Sequence, residues 1–91
     1  MVIDMNSEEI VDKIKRISLS VTEYSYDDAV QQGYKLLIQL HDLGVKEEMV
    51  YQLLASILNS LEDSLSCDYM ADMMDFVVGW CSPYKYIWKE D

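Results

Sequence analysis

At 91 residues, just over half of them hydrophobic, the chain is long enough for one domain with a real core and too short for two. Its 17 acidic against 7 basic residues leave a formal charge of −10 at pH 7. That field repels nucleic acid and anionic membranes and attracts cationic partners.

Apolar spacing predicts four helices and no strand, so the expected fold class is all-α: a compact bundle of about four helices in a single domain over 1–91. The first helix starts near Asn6, a capping residue with Glu9 three positions on, and carries Ile10, Val11, Ile14 and Ile17. Ser18, Ser20 and Thr22 fray it near residue 20. The second starts near Ser25, with Asp27 and Asp28 in the first turn, where the helix dipole favours anions. It buries Ala29, Val30, Leu36, Leu37 and Leu40 and ends at Gly44, with Val45 expected to staple onto Val50. The short Gly-Val connection predicts an antiparallel hairpin with the third helix.

The third helix has the widest apolar stripe, Met49, Val50, Leu53, Leu54, Ile57, Leu58 and Leu61, as a central helix would. A break over Ser64 to Asp68 leads to the fourth, with Met70, Met73, Met74, Phe76 and Val77 inward and Gly79 at its end. From about residue 80 the chain reads as irregular, with Trp80 and Trp88 folding back to cap the bundle.

No segment approaches the roughly 20 apolar residues of a membrane span. Met1 to Ser7 show neither the basic nor the apolar block of a secretion signal, which points to a cytoplasmic protein. Cys67 and Cys81 lack CxxC spacing and are expected as reduced, packed thiols.

Catalytic motifs are missing: there is no phosphate loop, HExxH, GxSxG or Cys–His pair, and no cofactor is expected. His41, the single histidine, reads as an ordinary boundary residue. Asp68, Asp72 and Asp75 fall on one helix face, near Glu62 and Asp63. Without a Ca²⁺-loop pattern, that row reads as acceptors for a partner's Arg and Lys, with a merely solvated face as the competing reading. The three methionines at 70, 73 and 74 read as core. Seven tyrosines and two tryptophans are many for this length, and tyrosine and tryptophan suit protein interfaces. Tyr24 and Tyr26 stand among Glu23, Asp27 and Asp28, where a partner's Arg could both pair and stack.

The segment Asp75-Phe-Val-Val-Gly-Trp-Cys-Ser-Pro83 through Ile87-Trp88, with the Leu43-Gly44-Val45 junction and the leucine-rich third helix, resembles small helical immunity proteins of bacterial polymorphic toxin systems. Contact-dependent growth inhibition immunity proteins are the nearest group. The resemblance spans residues 27–88, and its distinctive part is Gly79-Trp-Cys-Ser-Pro83. It implies a protein that binds and blocks a cognate basic toxin domain, expected to be a nuclease, and the missing catalytic motifs give the further expectation that the chain is not an enzyme. It fixes no contact residue. Charge and expected exposure alone select the partner-binding set: Tyr24, Tyr26, Asp27, Asp28, Glu62, Asp63, Asp68, Tyr69 and Asp72. The alternative function is an acidic adaptor or regulatory subunit that binds a basic partner within a larger complex. Oligomeric state is not legible.

Overall fold

Helices form in the order the apolar spacing gives: α1 (Ser7–Ser20), α2 (Tyr26–Asp42), α3 (Glu47–Ser60) and α4 (Ser64–Val78), then a 3-10 turn at Pro83–Lys85. This computed structural model describes residues 6–89, and no strand occurs among them. Asn6 caps α1 by accepting the Glu9 N–H at 2.9 Å. Ser25 stands at the start of α2, but its hydroxyl is used by the preceding turn, accepting the Thr22 N–H at 3.0 Å. A left-handed glycine stops α2: Gly44 (φ 86) lets the Val45 N–H reach the Leu40 carbonyl and the Gly44 N–H reach that of His41. Gly79 (φ 85) stops α4 in the same way, with its own N–H and that of Trp80 both on the Asp75 carbonyl.

The expected break over Ser64 to Asp68 lies earlier, at Leu61 to Asp63. Asp63 starts α4 because its carboxylate accepts the N–H groups of Leu65 and Ser66, each at 3.1 Å.

The central helix is α4, not α3. It packs on all three other helices and buries Ser66, Tyr69, Met70, Met73, Met74 and Val77. Only Val50 and Leu54 of α3 are buried, while Met49, Tyr51 and Leu53 are exposed. The wide stripe on α3 therefore exceeds what the core takes up.

The expected α2–α3 hairpin does not form either. α2 packs on α1 and α4, and α3 packs chiefly on α4. Pairings between α2 and α4 rise together along both helices, from Tyr26 with Tyr69 and Asp72 to Tyr34 with Phe76, so the two run parallel. Gly33 makes that approach possible. A Cβ there would stand 2.2 Å from the Tyr69 hydroxyl, which donates to the Ala29 carbonyl at 2.7 Å.

The C-terminal segment crosses the α2–α3 junction. Trp88, 1 % exposed, donates its indole N–H to the Val45 carbonyl at 2.9 Å and meets His41 edge-on. Tyr34 donates to the Lys85 carbonyl, and Tyr86 donates to Glu47 on α3. These bonds tie residues 85–88 to α2, to the α2–α3 turn and to the start of α3. Trp88 thus closes the bundle as expected, whereas Trp80 is 81 % exposed.

Candidate partner-binding surface

Because α2 and α4 are parallel, their N-termini share one end of the bundle. That end gathers Tyr24 to Asp28 from the α1–α2 turn and α2 with Glu62, Asp63 and Asp68 from the start of α4. Tyr24 is fully exposed at the turn, and Asp27, Asp28, Glu62 and Asp68 are exposed as well. Tyr26 ties the two helices together by donating its hydroxyl to the Asp72 carboxylate. Burial first, then the bond to Asp72 and the charges of Asp72 and Asp68, holds the Tyr26 hydroxyl well above its ordinary pKa. It is a neutral donor in this setting.

Tyr69 does not belong to the surface. It is fully buried, with its hydroxyl on Ala29 and its ring edge-on to Tyr26 at 6.1 Å. Its position on α4 faces α2, which a reading of charge and neighbours misses. Asp63 stays exposed but acts as a helix cap, and Asp28 accepts from Gln32 at 2.8 Å. Asp27, Asp28 and Asp63 all sit where a helix N-terminus favours a carboxylate, so local stability accounts for them. Glu62 precedes that cap and Asp68 lies beyond the first turn of α4. Their charge needs another reason.

Charge is also divided between the two halves of the chain. From Glu47 to Tyr84 the charged residues are Glu47, Glu48, Glu62, Asp63, Asp68, Asp72 and Asp75, with no lysine or arginine. The gap between Lys46 and Lys85 makes this legible in the sequence, although net charge alone hides it. Three of the cations, Lys13, Arg16 and Lys35, instead line a groove between α1 and α2.

The α3–α4 half carries a second feature that net charge and aromatic count do not reveal. A groove of about 230 Å³ runs between the two helices, lined by Tyr51 and Leu58 of α3, by Ala71, Met74, Asp75 and Val78 of α4, and by Trp80. Burial, then the charge of Asp72, raises the Asp75 carboxyl above its ordinary 3.8. Cys81, a half-buried free thiol, is likewise pushed up by burial and by Asp75, against an opposing pull from Lys85. A raised thiol pKa means little thiolate at neutral pH and a poor nucleophile. Cys67 is also a free thiol, held toward the Leu61 carbonyl at 3.7 Å.

Met70, Met73 and Met74 fill the core, and His41 supports Trp88 at the boundary. Among the described residues, no group of three or more His, Cys, Asp or Glu is placed to hold a metal ion. No helix among them is long and apolar enough to cross a membrane. No protein-family model matches this sequence, and no curated protein or solved structure matches it significantly.

Proposed function

We propose that this chain is an immunity protein, which binds a cognate basic toxin domain and neutralises it through an acidic, tyrosine-bearing surface. The observation that carries this reading is the shared end of α2 and α4, where Tyr24, Tyr26, Asp27, Asp28, Glu62, Asp68 and Asp72 come together. Carboxylates there offer charge-assisted bonds to arginine and lysine, and Tyr24 offers a stacking face. A nuclease cleft built for phosphates is one target of suitable charge, and occupying it excludes substrate. Long-range attraction from a charge of −10 speeds capture. The site of action is then the cytoplasm of the cell that must be protected.

The test is protection. The C-terminal domain of the adjacent upstream reading frame is expressed in a sensitive bacterium with and without this chain. Rescue of growth, with a co-purifying complex, is the expected result. Toxicity without rescue, or no toxicity, sinks the proposal. In the purified pair, Glu62→Lys with Asp68→Lys should slow association at least tenfold at low salt and flatten its salt dependence.

A second reading, an acidic adaptor within a larger complex, draws support from the separate cationic groove of Lys13, Arg16 and Lys35, which offers an opposite charge to a second partner. Capture of one stable cellular assembly, lost on reversing those cations, would favour it.

A further inference from the structure

We infer that the groove between α3 and α4 is the docking site for a basic amphipathic segment of a protein partner, with one apolar side chain seated on Leu58, Met74 and Val78 and a neighbouring Lys or Arg on Asp75. This rests on the reading that the partner is a basic protein, and it locates the apolar anchor that the acidic end lacks.

Three observations converge on this occupant. First, α3 carries more apolar surface than the bundle buries. Tyr51 and Leu58, seven residues apart on one flank of the helix, face α4 across the groove and stay at least partly outside the core. Secondly, Trp80 stands 81 % exposed at the mouth of the groove, although tryptophan is the residue that gains most from being covered. It follows the left-handed turn at Gly79, whose Cα side faces the Tyr86 ring. Thirdly, charge selects the occupant. Every charged residue from Glu47 to Tyr84 is acidic, and Asp75, on the groove wall, is a half-buried carboxylate in no salt bridge among the described residues. A cation brought beside it relieves both its burial and its repulsion from Asp72. A second copy of this chain docking through the same face would bring its own acids against this wall, and an anionic lipid surface would be repelled.

The probe is a synthetic 16-residue helix-forming peptide with leucine at helical spacing along one face and lysine elsewhere. Its control replaces every leucine with serine at the same charge. Trp88 is already dry, so a blue shift of tryptophan emission on titration reports covering of Trp80. The expected result is saturable binding of the leucine peptide, with at least tenfold weaker binding by Ala71→Arg and, separately, by Trp80→Ala. The variants are compared through the anisotropy of a dye-labelled peptide, because Trp80→Ala removes the emission reporter. Both positions are exposed, so the fold is retained, as an unchanged helical circular dichroism spectrum would confirm. Equal binding of the serine control would overturn the inference, because charge alone would then suffice. So would unaltered binding by both variants, or a dimer of the chain that Ala71→Arg dissolves. If the unaltered chain protects against the toxin and both groove variants protect equally, the groove falls and the immunity reading stands. If the groove binds the peptide as described but protection fails, the immunity reading falls and the groove stands.

Discussion

The two ends of the bundle are built by opposite means. At one end Trp88, Tyr86 and Tyr34 strap residues 85–88 across the α2–α3 junction with hydrogen bonds and a buried indole. At the other end, the parallel α2 and α4 present exposed carboxylates and a fully exposed Tyr24, with Tyr26 and Asp72 as the cross-tie. The first end buries Trp88 completely, and the second leaves Tyr24 fully exposed. The fully buried indole lies at the strapped end, and the exposed carboxylates of the acidic end are what the proposed immunity role uses.

The largest effect should come from breaking the strap. Trp88→Ala removes a fully buried indole and its bond to Val45, and should cost about 3–5 kcal/mol in urea unfolding. Trp80→Ala, at an exposed ring, should cost less than about 0.5 kcal/mol in the same experiment. Equal losses from both would refute the contrast between the buried strap and the exposed mouth of the groove.

Next in size is the seam that holds the acidic end together. Gly33→Ala forces a methyl group onto the Tyr69 hydroxyl and Met73 sulfur, and should cost about 1–3 kcal/mol. Part of that loss should return in the double variant with Tyr69→Phe, because the pair is in contact. A double-mutant cycle measures the coupling.

Asp63→Ala removes the cap of α4 and should cost about 1 kcal/mol by thermal melting. This separates a carboxylate that serves the fold from those available to a partner.

The smallest effect has the opposite sign. A raised native pKa means that the folded chain retains a proton on Asp75 that the unfolded chain has released. Ionised Asp75 therefore costs stability at neutral pH, and the cost disappears as pH falls through the raised value and below 3.8. Asp75→Asn should be more stable than the unaltered chain at pH 7, with the difference closing below pH 3.8, as urea melts at the two pH values would show. A destabilised variant at pH 7 would mean that the carboxylate serves the fold.

Local features were legible in the sequence. Asn6, Gly44 and Gly79 marked helix ends because capping chemistry depends on a single residue and its immediate neighbours. The four helices and the methionine core followed from spacing. What sequence spacing could not convey was which apolar stripe would be central. α3 has the richer stripe, yet α4 is buried because it packs on all three other helices, and Gly33 permits the close approach of α2. The same tertiary choice buried Tyr69 and freed Trp80. Of the candidate surface, the exposed acids and Tyr24 were legible from charge and turn chemistry. The groove was not, since it arises between helices whose pairing the short α2–α3 connection misrepresents.

The parallel arrangement of α2 and α4 also sets an order of events. The bond from Tyr69 to Ala29 spans 40 residues of chain. On a ribosome adding roughly 5–20 residues per second, that separation is a wait of about 2–8 s between the two partners. During that interval the α2 residues that meet α4, among them Ala29, Gly33 and Tyr34, lack their final neighbours. The Trp88 strap, 43 residues beyond Val45, comes later still. Assembly of this bundle is thus completed from its far end, by the last of its tryptophans to be synthesised.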